Sequence, residues 1–186
     1  MLEGKKMFLR PMVPEDFGFM IRLLNDLSIS YYEGRLQELA TQKTQQTWYE
    51  SLSQRQLALM VCDLDNEMPV GYVSAKIVKD VPRIGLVGIK LDKSSRGQGI
   101  GRDAVSTLCA FLFLRLNLHR IETSIVDYNK PSSALFKSMG WANEGNQRQA
   151  VYMNGKYHDN QLFSILKDEF LADENNSDYL SMIFGS

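Results

Sequence analysis

The sequence predicts an α/β protein of the α+β kind, a mixed and mainly antiparallel sheet of six to seven strands with helices on both faces. Three observations predict it. Between residues 57 and 91 apolar runs of strand length follow one another across short turns, as antiparallel neighbours do. From about Gly99 the residues Ala104, Val105, Leu108, Cys109 and Leu112 recur at helical spacing, one face of a buried helix. Between that helix and the strand 84–91 stands the run Arg96-Gly-Gln-Gly-Ile-Gly101.

The elements follow in chain order. Residues 7–10 form a short strand ended by Pro11, and Pro14-Glu15-Asp16 opens a helix, with a proline and acids where a first turn favours them. Phe17, Met20, Ile21, Leu24 and Leu27 supply its apolar face. Residues 28–38 have no clean period; Tyr31 and Tyr32 within them either line a cleft or cap the core. A second helix covers 44–53, with Trp48 and Leu52 on one side. Strands 57–62 and 70–78 flank the turn at Asp65, Asn66 and Glu67. A hairpin loop at 79–82 leads into the strand 84–91, a polar break covers 92–95, and the long helix follows. The strand 121–126, a short helix 132–138 stopped by Gly140, and strands at 141–144 and 150–153 come next. Asn154-Gly155 is a hairpin turn returning the chain into the last strand, 158–166. Residues 1–170 read as one domain and 171–186 as a polar tail, whose end, 179–184, is apolar enough to dock on this chain or on a second copy; a homodimer stays open.

Composition narrows the function classes. The 186 residues are 44% hydrophobic and 23% charged, ordinary for a globular protein. A formal charge of −1 gives no general reason to expect nucleic-acid binding. Cys62 and Cys109 lie among apolar neighbours and read as buried thiols; neither joins His119 or His158 in a metal-ligand spacing, so no metal is expected. No signal-peptide core is visible, and the richest apolar run, 108–118, falls short of the ~20 residues a membrane span needs. The expected location is cytoplasmic, with no membrane partner.

The candidate site begins at the glycines. Three in alternation cost backbone entropy, and a plain strand-to-helix turn with no ligand needs only one. Without Cβ atoms the backbone N–H groups can approach a bound group, and the first N–H groups of the following helix have no internal partner. Arg96, Gly97, Gln98, Gly99, Ile100 and Gly101 thus make a phosphate or pyrophosphate site. Residues 99–104 also fit the dinucleotide fingerprint G-x-G-x-x-A, with Glu122 about twenty residues on. Polar residues separate that fingerprint from its strand, however, and Glu122 stands near the start of the next strand, not at its end. No Gly-Lys-Ser/Thr follows, so a kinase-type P-loop fails.

The run from Arg96 to Gly101 resembles the pyrophosphate loop of the GNAT N-acetyltransferase superfamily, Arg/Gln-x-x-Gly-x-Gly/Ala. The resemblance extends to Asn129-Lys-Pro-Ser132 through Phe136 to Gly140-Trp141. The opening Leu9-Arg10-Pro11 and the closing 154–157 are similar to the branch holding ribosomal-protein and spermidine N-acetyltransferases. The resemblance covers roughly residues 5 to 170. It implies the acyl-CoA N-acyltransferase fold, with a splay between strands 84–91 and 121–126 that admits the pantetheine arm of acetyl-CoA against Gly88, Ile89, Lys90 and Leu91. It also implies Asn129, Ser132 and Phe136 beside the cofactor, although Ser132 reads equally as a helix cap.

The implied activity is transfer of the acetyl group of acetyl-CoA to a primary amine, on a protein N-terminus, a polyamine or another small amine, by direct attack in a ternary complex. Relatives often carry a glutamate on the central strand as base, yet no acid lies within 81–91 here. They often carry a tyrosine seven residues after the Asn as acid; that position is Phe136, which has no proton to give. Glu33, Asp127, Tyr128, Glu144 and His158 are replacement acids and bases by position, each also readable as an ordinary surface or capping residue. The alternative is an acyl-CoA-binding sensor with reduced catalysis.

Overall fold

The computed structural model describes residues 1–34 and 39–184. In chain order its elements are β1 (Leu2–Glu3), β2 (Met7–Pro11), α1 (Phe17–Asn25), α2 (Leu27–Glu33), α3 (Gln42–Glu50), β3 (Gln56–Asp63), β4 (Pro69–Asp80) and β5 (Arg83–Leu91). There follow α4 (Ile100–Leu114), β6 (Arg120–Val126), α5 (Lys130–Ser138), β7 (Ala142–Met153), β8 (Lys156–Leu166), α6 (Lys167–Ala172) and α7 (Ser177–Phe184). The fold is the mixed, mainly antiparallel one, with eight strands among the described residues instead of six or seven. The extra strand is the two-residue β1, too short to carry an alternation signal.

The described chain divides into two compact units. In the first, 1–12, 53–122 and 165–184, the strand order is β1-β2-β3-β4-β5 followed by the start of β6. All neighbours are antiparallel except β5 and β6. Met7, Phe8 and Leu9 are all buried, so β2 reads as a continuous apolar run and not as an alternation. The whole predicted face of α4, from Ala104 to Leu112, is buried against β2, β4 and β5.

In the polar run 173–178, Asn176 is buried, Asp173 half-buried and the other four residues exposed. Asp173 caps a 3-10 turn by accepting from the Asn175 N–H at 3.0 Å. Asn176 is buried and donates Nδ2 to the Phe170 carbonyl at 3.0 Å. Asp173 and Asn176 thus fix the turn that precedes α7, which packs on α4 and β1.

The second unit, 13–34, 39–52 and 123–164, holds α1, α2, α3, α5 and the strand order β6-β8-β7. Here α1 buries Phe17, Met20 and Leu23. Leu27, expected on that face, is 79% exposed, because the helix ends at Asn25 and Asp26 caps a new one by accepting from the Ser28 N–H at 2.8 Å. The stretch 28–38, read as aperiodic, is therefore helical over α2; its last four residues, 35–38, lie outside the described residues. Thr41, not Thr44, sets the start of α3, by a reciprocal cap with Thr44. The two strands expected at 141–144 and 150–153 are one strand, β7, whose register with β8 shifts between Asn143 and Gly145 and again between Gln147 and Val151. Those two irregularities break the alternation that a sequence pattern needs. Asn154 and Gly155, both at positive φ, close the hairpin as the dipeptide predicts.

Candidate functional site

In the first unit β5 pairs with β4 from Arg83 to Leu91. Its parallel register with β6 ends at Leu86, opposite Glu122, while β5 runs on through Gly88, Ile89 and Lys90 to Leu91. The carbonyl of Leu91 accepts from Nε of Arg96 at 3.1 Å, tying the guanidinium to the strand's end. Between them Asp92 caps the 3-10 turn Lys93–Ser95. The hydrogen bond from the Ser94 hydroxyl, aided by backbone N–H groups, holds the Asp92 carboxyl below its usual range against the opposing effect of desolvation.

Gly97 and Gly99 then take φ of +75° and +86°, a region that L side chains rarely adopt. Gly99 is the N-cap of the 15-residue α4 and brings no side chain to cap its first turn. A Cβ built on Gly97 would meet nothing within 4 Å, and one on Gly99 would meet only the Lys6 side chain, nearest at 3.3 Å. Ile100 is buried at the first helical position, and Gln98 folds back through Nε2 onto the Ser94 carbonyl at 2.7 Å. Two left-handed glycines, with open space above Gly97, a helix N-terminus and an anchored arginine fit an anion such as a pyrophosphate.

Lys90 adds a feature the sequence did not signal. Its ammonium lies 5.6 Å over the Tyr72 ring, and desolvation by burial lowers its pKa to about 8.

The second unit gathers three of the five acid–base candidates. Asp127 Oδ1 lies 3.3 Å from Nδ1 of His158, and its Oδ2 accepts from the Asp159 N–H at 3.3 Å. The Tyr128 ring meets the His158 ring edge-on at 4.6 Å and the Tyr31 ring at 4.6 Å. A proton on Nδ1 directed at Asp127 leaves the lone pair on Nε2, the tautomer a general base needs. The Tyr128 phenol donates to the Tyr31 carbonyl at 2.8 Å; burial, then the neighbouring Tyr31 and Asp127, raise its pKa. Asn129 caps α5 by accepting from the Ser132 N–H at 3.2 Å and donates Nδ2 to the Tyr32 carbonyl, also at 3.2 Å. Its amide is therefore committed to backbone at both ends, and Asn129, not Ser132, is the cap.

Two candidates stand elsewhere in that unit's contacts. Glu144 accepts from the Ser164 hydroxyl at 2.9 Å. Glu33 is the last residue of α2 and half-buried. Phe136 is buried, its ring edge-on to Trp141 at 4.8 Å, and behaves as a core residue. Among the described residues no three His, Cys, Asp or Glu side chains are grouped to hold a metal, and no helix is long and apolar enough to cross a membrane.

A mainly antiparallel sheet whose central strand runs into a glycine-built helix N-terminus defines an acyl-CoA N-acyltransferase type of fold. Residues 6–142 match the acetyltransferase (GNAT) domain, and the chain belongs to that family. It is 33% identical over 101 residues to the probable N-acetyltransferase YjcK of Bacillus subtilis, covering 54% of this chain and 56% of that one. It is 31% identical over 100 residues to the putative ribosomal N-acetyltransferase YdaF of the same organism, covering 54% and 55%. The chain thus spans about half the length of these curated relatives. A longer but weaker match, 21% over 165 residues, joins it to the spermidine N(1)-acetyltransferase of Escherichia coli, covering 89% and 88%. The fold is shared with the spermidine N-acetyltransferase of Vibrio cholerae solved with CoA and spermine, at a TM-score of 0.84 and 21% identity, covering 89% of this chain and 98% of that one.

Proposed function

We propose that the protein is an acetyl-CoA-dependent N-acetyltransferase acting on a primary amine. The observation that carries this reading is the left-handed Gly97–Gly99 turn at the N-terminus of α4, with Arg96 tied to the end of β5. Donors fixed in that way before a ligand arrives suit a pyrophosphate, and residues 88–91 of β5 present strand geometry for a pantetheine amide. Acetyl-CoA supplies the acetyl group as a thioester. The amine must attack in its neutral form, so a base or a water chain has to take its proton. The thiol of CoA, with an unperturbed pKa of ~8.5, needs no strong acid in order to leave. Relatives named for polyamine and ribosomal substrates support a primary amine as acceptor.

A second reading, an acyl-CoA-binding sensor, is favoured by Phe136, whose buried ring has no proton to donate. One experiment tests both. Acetyl-CoA at about 100 times its dissociation constant should stabilise the fold by roughly 2.7 kcal/mol. Free thiol should then appear on addition of an amine panel of polyamines, small amines and N-terminal peptides. Stabilisation without turnover on any amine supports the sensor, and stabilisation by NADH but not acetyl-CoA overturns both.

A further inference from the structure

The segment ahead of β2 makes contacts that the glycine motif does not account for. Asp103, 3% exposed in the first turns of α4, accepts the backbone N–H of Lys5 at 3.0 Å and that of Lys6 at 2.7 Å, one on each carboxylate oxygen. Two N–H donors on one carboxylate fix direction as well as distance. The buried Tyr179 of α7 hydrogen-bonds the same carboxylate, and burial followed by the Asp103 charge pushes its phenol well up. Lys5 turns towards α7, its ammonium 5.1 Å over the Tyr179 ring and 2.5 Å from the Asp178 carboxylate. With its backbone held in this way, Lys6 reaches the glycine loop. Its Nζ donates to the Gln98 carbonyl at 2.9 Å and lies 3.3 Å from the place a Cβ on Gly99 would occupy.

A trans peptide directs its C=O and its N–H to opposite sides. We propose that Lys6, seated by Asp103, is a positioning residue of the anion site: by holding the Gln98 carbonyl to itself it turns the Gly99 N–H to the opposite side, where the pyrophosphate of acetyl-CoA is bound. The inference rests on the cofactor reading above. Glycines at 97 and 99 leave the peptide planes between them free to rotate, so a loop without this clamp would have to be ordered at each binding event. The clamp supplies that order beforehand, and Asp103 with Tyr179 extends the support to the C-terminal helix.

The test compares CoA with S-acetylpantetheine, which lacks the pyrophosphate, by titration calorimetry on the full chain. Lys6→Met should weaken CoA binding about tenfold, the loss of one charge-assisted hydrogen bond and the loop order it maintains, and leave S-acetylpantetheine unchanged. Lys6→Arg should restore most of the loss, since its guanidinium can donate to the same carbonyl. Asp103→Asn should give the same selective loss, because one carboxylate acceptor becomes an N–H donor facing another. Should that buried substitution fail to fold, the Lys6 variants still decide, since the Lys6 side chain is exposed. CoA binding by Lys6→Met within twofold of wild type, or equal weakening of both ligands, overturns the clamp. Wild type binding CoA no more tightly than S-acetylpantetheine removes the anion reading of the loop, and the clamp falls with it.

Discussion

The phenol of Tyr128 is a donor to the main-chain carbonyl of Tyr31, 97 residues away in sequence and 2.8 Å away in space. A hydroxyl fixed in that way, with its pKa raised by burial, is a poor source of a proton for a departing thiolate. Tyr128→Phe should therefore lower kcat less than tenfold, under ~1.4 kcal/mol. For an aliphatic amine of pKa near ~10, kcat/KM should rise with pH as the neutral amine becomes more abundant, without a descending limb that depends on Tyr128. A pH–rate profile of both proteins at saturating acetyl-CoA checks this. A wild-type alkaline limb that vanishes in a much slower Tyr128→Phe would make Tyr128 the acid after all.

The two left-handed glycines should respond differently to substitution. At Gly97 an alanine meets open space, so Gly97→Ala carries only the backbone strain, ~1–2 kcal/mol of stability. Gly99→Val adds a branched side chain beside Lys6 and the N-terminus of α4, and should abolish detectable acetyl-CoA binding while the protein still folds. Thermal melts with and without acetyl-CoA separate the two effects. An unchanged ligand-induced shift in folded Gly99→Val would take the loop out of the site.

Lys90 makes stability depend on pH in a direction that can be worked out. Its folded pKa is about 8, against ~10.4 for an unperturbed lysine. Between those values the unfolded chain keeps a proton that the folded chain has released, so the unfolding free energy contributed by this group rises with pH. Below pH 8 the folded state carries the penalty of a desolvated ammonium. Lys90→Met should accordingly raise Tm relative to wild type more at pH 7 than at pH 10. A difference that does not change with pH would mean the ammonium is not desolvated in the folded protein.

Cys62 and Cys109 have no exposed surface, and burial pushes the Cys109 thiol well above its ordinary range. Since the thiolate is the reactive form, neither should react with a disulfide reagent in the native protein, and both should react in denaturant. Counting titrated thiols with and without guanidinium checks this. Rapid native labelling would show that the core around α4 opens readily, and would also compromise thiol detection as an assay for released CoA.

The sequence by itself determined the run from β5 through the glycine loop to α4, the Asn154-Gly155 hairpin and the stop of α5 at Gly140. Each is written locally. Apolar spacing reports which face is buried, and glycine or asparagine marks where φ must turn positive. Only the tertiary structure decided that Lys6 meets Gln98, that Asp103 joins the β2 approach to Tyr179, and that Tyr128 is committed to Tyr31. An acid near the start of a helix, such as Asp103, already has a local explanation in the helix dipole, which hides its long-range role. Asn176 is hidden in the polar composition of 173–178 for a similar reason, because a polar side chain that is buried on a backbone carbonyl cannot be told by type from its exposed neighbours. Contacts between segments some 90 residues apart have no period and no spacing; they exist because the folded sheet and α4 bring those segments together.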